Sequence, residues 1–367
     1  MRTPVVCWPR YPRCPLRRRC ERHGRCNEVT TQTDAGAWEA IEYCYEAGWT
    51  AGLPVVPPLE SLVRSFLDEV GWDAEEVVLT EPVRGRDIIA GKVAVNCVMA
   101  GCLPAYLPVV RAALRAMGEP EFHLHGPATS TGGATPLVVV HGPIRDEIGM
   151  NYRGNLFGPG NRANAAIGHA IRLVFLNCLS ARPGTLDQST QGSFGKYSGC
   201  FAEQEDASPW EPLHVARGLD AAHSAVTVFA CESPHVILCH GTSDPRQVLG
   251  IAADTMSAAG SFSPGQSLVV LAPEHVEFLQ QAGWSREDVQ RFLYENAKRR
   301  LADLKRLGKI EGGGPVRPQD EQEWVHRGKG FEDILVLVGG GAAGGHSAFF
   351  PSWSRARASL AVTTRIT

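Results

Sequence analysis

The sequence holds no apolar run approaching the roughly 20 residues that a membrane-spanning helix needs; its apolar runs, such as Pro136 to Val140 and Ile334 to Val338, have strand length. No apolar export segment stands near the start, and the Pro and Arg content there opposes an amphipathic transit helix. Positive charge is not in excess either: 36 Lys and Arg oppose 39 Asp and Glu, for a net charge of −3. These absences predict a cytoplasmic protein with no membrane role and without the electrostatic footprint of a nucleic-acid binder. Collagen-like repeats and the composition of a disordered chain are also missing. Instead, 44% apolar residues, 20% charged ones and eight tryptophans describe a chain that folds around a substantial core. Its 367 residues suit one large domain or two of ordinary size.

Close cysteine pairs are lacking as well. Of 11 cysteines, Cys7, Cys14, Cys20 and Cys26 lie at intervals of seven, six and six, without the C-x2-C pairs of a zinc ribbon. They share residues 1 to 28 with eight arginines and two glutamates, so this segment carries +6 and the remainder −9. Residues 1–33 read as a basic, Cys/Arg-rich disordered leader, and Val29 is an alternative point for translation to start. The other seven (Cys44, Cys97, Cys102, Cys178, Cys200, Cys231 and Cys239) are scattered through apolar segments and read mostly as core thiols of a reducing compartment.

Periodicity predicts an α/β fold. Trp38, Ile41, Tyr45 and Trp49 mark one face of a helix over Asp34 to Ala51, and a second is expected over Leu59 to Val70. Val77 to Leu79 and Lys92 to Val98 read as short strands, Pro104 opens a helix to Met117, and Leu137 to His141 reads as a buried strand. After a helix over Gly160 to Leu176 come strands at Val226 to Ala230 and Val236 to Cys239, a helix over Pro245 to Ala258 and a strand at Ser267 to Leu271. A charged helix over Arg286 to Leu307 follows. The endings PLVVVHGPI and SLVVLAPEH correspond loosely. The expected architecture is therefore mixed sheets in repeated αβ units, forming one large domain or two similar packed halves. The first half covers 34–150, a linking helix and polar loop region 151–224, the second half 225–355 and a tail 356–367. Two ordinary αβ segments account for the match equally well.

Four constellations can carry chemistry. In Asn96 to Pro104, Cys102 stands just before the expected helix start, where orphan N–H groups favour a thiolate; Cys97 is the candidate resolving thiol. In Asn155 to Asn164, a Gly/Pro loop enters a helix that Asn161 can cap, with Arg162 and Asn164 completing an anion cradle. In Lys196 to His214, Lys196 and Tyr197 can hold an anionic intermediate, and Glu203 or His214 can act as general acid or base within a stretch that also holds Glu205 and Trp210. Last, His123 and His125 share one face of an extended segment, and His141 at a strand end is a third possible ligand for zinc or another divalent metal. The motif Gly339-x-Gly341-x-x-Gly344 opens like a dinucleotide fingerprint, but no acidic residue follows Asp333 and fewer than thirty residues remain. With His346 it reads as a lid or ligand-closing loop.

The runs VNCVMAGCLPAYLPVV, FGPGNRANAAIGHAIRL, GKYSGCFAEQEDASPWEPLH and the HSAFFPSW tail resemble a poorly characterised bacterial family associated with UGSC-motif selenoproteins or their Cys forms, across roughly residues 34 to 355. The UGSC tetrapeptide itself is absent. The resemblance implies a reductive or thiol-dependent transformation with a redox partner protein, and Cys97 and Cys102 stand in its most conspicuous segment. The function expected from the sequence is thus thiol-dependent reduction or covalent cleavage of a small anionic substrate, in a chain that can form a homo-oligomer. That reading requires no cofactor. The alternatives are a metal-assisted hydrolase or lyase at the histidines, and a non-catalytic ligand-binding or assembly subunit of a redox system.

Overall fold

The computed structural model describes residues 34–260, 262, 265–310, 313–353 and 359–367, so the arginine-rich leader lies outside the described residues. Two four-stranded sheets organise the described chain. The first contains β3 (Thr135–His141), β4 (Cys200–Ala202), β5 (Ala225–Cys231) and β12 (Val362–Arg365); the second contains β6 (His235–Leu238), β7 (Ser267–Leu271), β10 (Ile334–Val338) and β11 (His346–Pro351). Their orders are β12-β5-β3-β4 and β10-β7-β11-β6. In the first, β3 runs parallel to β4 and antiparallel to β5, which is antiparallel to β12. In the second, β7 runs parallel to β10 and antiparallel to β11, which is antiparallel to β6. Both sheets are therefore mixed, with the same succession of strand directions across them.

Alternation along the strands explains how the sheets stack. Successive side chains point to opposite faces, so a strand covered on both sides reads as a continuous apolar run. Val138 and Val140 of β3 face one core, with the helices Ala90–Met99, Leu107–Gly118 and Arg162–Asn177, while Leu137 and Val139 face another. That second core is shared with Leu268 and Val270 of β7, Leu335 and Leu337 of β10, and Phe350 of β11. The opposite face of the second sheet, with Val269, Val336 and Phe349, packs on Leu249, Met256, Val289 and Leu293 from the helices Pro245–Ala258 and Arg286–Asn296. The result is four layers: helices, sheet, sheet, helices. Burying each of these Leu, Val or Phe side chains contributes about 1.5–3 kcal/mol, and it fixes register, because a one-residue slip would exchange the two faces.

Three elements depart from the sequence reading. Residues 92–98 belong to the helix Ala90–Met99, not a strand; a short apolar run satisfies both periods, and here both faces are buried. The charged helix stops at Asn296, because Lys298–Arg300 (β8) pairs with Trp324–His326 (β9) and lays Lys298 and Arg300 over the Trp324 ring; helix resumes over Leu301–Arg306. The first helix ends at Glu46, before Gly48 adopts a φ of 68°. A small hairpin of β1 (Val77–Glu81) and β2 (Arg86–Ile89) completes the described strands. β5, assigned from sequence to the second half, pairs in the first sheet, and so does β12 of the tail. No single described helix is long and apolar enough to cross a membrane; Ala90–Met99 and Pro104–Gly118 reach that composition only together, and they are bent by 120°.

Candidate functional site

The carboxyl ends of the two parallel strand pairs lie side by side: Gln204, just past β4, donates its N–H to the carbonyl of Val338, the last residue of β10, at 2.9 Å. Strand ends are natural places for function, because the apolar pattern stops there while the backbone stays rigidly held. His141 closes β3 and Glu203 follows β4, and both side chains are fully buried. His141 Nδ1 lies 2.7 Å from Glu203 Oε2, and its Nε2 lies 2.8 Å from the Thr227 hydroxyl on β5. Thr227 Oγ1 in turn lies 2.9 Å from Thr363 Oγ1 on β12.

The other contacts of the Glu203 carboxylate are also specified by the fold. Oε2 accepts from the N–H of Leu213 at 3.0 Å, which starts the short helix Leu213–Ala216, and Arg286 Nη2 stands 4.0 Å from Oε1. That helix carries His214, whose ring stacks against His141 with centroids 5.6 Å apart. His214 is fully buried, and neither ring nitrogen has a hydrogen-bond partner. Burial, helped by the charges of His141 and Arg145, pushes the His214 imidazole down to about 4, so it is neutral at neutral pH. Glu205 accepts from Gly142 N–H at 2.7 Å through Oε1 and pairs with Arg145 at 3.1 Å through Oε2. Burial holds its carboxyl above the ordinary range even against those two contacts. Gly142 is required in this turn: its φ is 81°, and a Cβ there would meet the His223 carbonyl oxygen at 2.5 Å.

Thr363 is the outer end of this buried chain. A surface cleft of about 450 Å³ beside β12 is lined by Thr363 and Thr364 with Glu119, Glu121, Arg217 and Gln266. A run of three hydrogen bonds therefore leads from the cleft wall at Thr363 through Thr227 and His141 to Glu203.

The residues expected from sequence fall into several places. Glu203, His214 and His141, taken from two different constellations, are brought together. His123 and His125 are not part of that cluster: His123 takes a left-handed φ of 55° at the end of a 3-10 turn, and His125 opens the helix His125–Thr129 with Nδ1 3.1 Å from Glu81. The segment is thus not extended, and the group of potential ligands found among the described residues is His141, Glu205 and His214. Cys97 and Cys102 are neighbours across the turn, with Cys102 N–H donating to the Cys97 carbonyl at 3.0 Å. Cys97 is fully buried inside a helix, and burial, with the Cys102 thiol beside it, raises its thiol well above the ordinary value. Cys102 is 6% exposed, and its thiol donates to the Ala166 carbonyl at 3.4 Å. The expected helix follows it, as a 3-10 first turn over Pro104–Tyr106 that runs directly into the helix Leu107–Gly118.

Asn161 caps the helix Arg162–Asn177 through the N–H of Asn164 at 3.0 Å. Asn164 is buried and exchanges hydrogen bonds with the backbone of Asn151 at 3.0 and 2.8 Å, while Arg162 donates Nε to the Gly101 carbonyl at 2.9 Å. Lys196 is held by Asp187 at 2.8 and 2.9 Å, and Tyr197 is half exposed. In the Gly-rich loop, the N–H groups of Gly344 and Gly345 bind the Glu274 carboxylate at 2.7 and 2.6 Å, so the loop's anion is the chain's own side chain. His346 packs against His240, with ring centroids 4.9 Å apart. Sequence reading did not single out Thr227, Thr363, Arg145 or Arg286. Arg145 alone carried a usable signal, its position three residues past the Gly142 turn.

Comparison with protein-family models, curated proteins and solved structures gives no match.

Proposed function

We propose that this chain is an enzyme of hydrolase or lyase type, acting by proton transfer on a small substrate bound in the cleft beside β12. The observation that carries the reading is the continuous chain Thr363, Thr227, His141, Glu203, with links of 2.9, 2.8 and 2.7 Å between a cleft wall and a fully buried carboxylate. A proton released at Thr363, from its hydroxyl or from a substrate or water bonded to it, passes to Thr227 as Thr227 gives its own to His141 Nε2. Glu203 then stabilises the imidazolium, as an orienting carboxylate does for a histidine base. Arg217 offers a cation for a carboxylate or phosphate group, and Glu119 and Glu121 offer charge for an amine. The test is NMR-followed turnover of a panel of small carboxylate-bearing esters, amides and hydroxy acids by the full chain. Thr227→Val, close in shape but without the hydroxyl, should lower turnover by roughly 100-fold or more, the scale of general-base catalysis. Equal turnover by the two proteins sinks the relay.

A second reading, thiol chemistry at Cys102 with a redox partner, is favoured by Arg162 bonding the Gly101 carbonyl beside it and Cys97 standing behind it. It ranks lower because the Cys102 sulfur donates to a backbone carbonyl, a bond that a thiol makes and a thiolate does not.

A further inference from the structure

We infer that His141, Glu205 and His214 form a binding site for one divalent transition-metal ion, zinc by preference, and that the ion and the proton relay are alternative states of His141. The ion site stands on its own geometry; its effect on the relay rests on the function proposed above. Its first support is His214, fully buried with both ring nitrogens unpartnered. Such a group costs about 1–3 kcal/mol, and protein interiors seldom keep one unless water, an ion or a ligand completes it.

The second support is the neighbourhood. One ligand atom each from His141, Glu205 and His214 lie within 4.8 Å of one another. A tetrahedral zinc about 2.1 Å from each ligand places ligand atoms about 3.4 Å apart, so small side-chain rotations close the set. Two imidazoles and one carboxylate suit zinc far better than calcium or magnesium, which prefer all-oxygen shells. Each Glu205 oxygen has one protein donor, Gly142 N–H or Arg145, and keeps a lone pair free. The Arg145 guanidinium opposes a cation, which tempers the affinity.

His141 decides the consequence. Both its ring nitrogens are engaged, one by Glu203 and one by Thr227. To bind an ion it must release one partner, and the neutral Thr227 hydroxyl is the weaker. Keeping Glu203 on the other nitrogen gives the carboxylate–histidine–metal order found in zinc sites. With the ion bound, Thr227 loses its acceptor and the path from the cleft is cut. Zinc is thereby an inhibitor of the relay.

The test is calorimetric titration of zinc alone into chelator-stripped full-length protein after alkylation of its accessible thiols, with circular dichroism to verify the fold of each variant. One equivalent should bind in the unmodified sequence, and His214→Gln and Glu205→Gln should bind it at least tenfold more weakly. Cobalt(II) in its place should give a visible spectrum of nitrogen and oxygen ligation, without a thiolate charge-transfer band. Thr227→Val, which frees the His141 nitrogen, should bind zinc several-fold more tightly. Unchanged stoichiometry and affinity in both the His214 and Glu205 variants overturn the site. A Thr227 variant that binds zinc more tightly yet turns substrate over normally removes the relay and leaves the site standing.

Discussion

His141 and Glu203 are 62 positions apart in the chain and 2.7 Å apart in the fold, with both side chains sealed from solvent. The parallel pairing of β3 with β4 brings them together: Val140 sits opposite Ala202, so the next residue on each strand is His141 and Glu203. A buried carboxylate is tolerable only when its lone pairs are used, and here the His141 ring and the Leu213 N–H use them.

Replacing Glu203 by Ala removes the partner of both groups at once. His141 Nδ1 and the Leu213 N–H are left buried without a partner, and unfolding in urea should show a loss of about 3 kcal/mol or more. A loss under about 1 kcal/mol would mean that water reaches this pocket freely.

His214 predicts the opposite sign. Its imidazole satisfies nothing in the cation-free fold, so His214→Leu, which fills similar space without polar atoms, should raise stability by about 1–3 kcal/mol in chelator. The same variant should gain no further thermal stability from zinc, whereas the unmodified protein should. A destabilised His214→Leu protein argues that the ring has a partner in solution.

Asp187 should contribute to acid sensitivity. Burial alone would raise its carboxyl, but hydrogen bonds from Lys196 and Ser189 outweigh burial and hold it below the ordinary carboxylate value. Its folded-state value lies below the unfolded one, so the stability it contributes is present above the unfolded value near 3.9 and is lost as pH falls through the folded one. Burial lowers Lys196 as well, more than the pairing restores, which makes the pair a weaker brace than its short contacts suggest. The stability gap between the unmodified protein and Asp187→Asn should shrink steadily as pH falls from 5 towards 2. A gap constant across that range would show that the Asp187 charge does not matter.

Thiol reactivity should be low in most of the core. Burial raises Cys44 to about 11 and Cys178 to about 12, so neither forms appreciable thiolate at pH 8. Iodoacetamide with peptide mass spectrometry on native protein should leave both unmodified until denaturant is added. Rapid native labelling of Cys178 would mean that the layer of helices over the first sheet opens readily.

Turnover should follow the hydroxyls of the relay. Thr363→Val should impair catalysis as Thr227→Val does, while Cys102→Ser should leave it within a few-fold of the unmodified rate. If Cys102→Ser alone is inactive, chemistry belongs to the cysteine turn and not to His141.

Much of the architecture was legible in local pattern. The strand Ser267–Leu271 and the helix Pro245–Ala258 follow directly from runs bounded by turn residues, and Asn161 announces its helix by its capping chemistry. Residues 92–98 were not legible, because seven apolar-rich residues buried on every side fit helix and strand alike. At the site, Glu203, His214 and His141 were visible as residue types suited to proton transfer or ligation, but in separate segments and with His141 grouped with His123 and His125.

Composition, periodicity and turn chemistry by themselves determined an α/β chain with strand-length apolar runs, since those signals act over a few residues. Tertiary structure alone decided that β12 from the last residues joins the first sheet, that Thr363 thereby meets Thr227, and that His214 lies unpartnered beside His141. Such meetings depend on sheet register and layer packing between distant segments, and buried polar groups acquire their chemistry only from the neighbours that packing supplies.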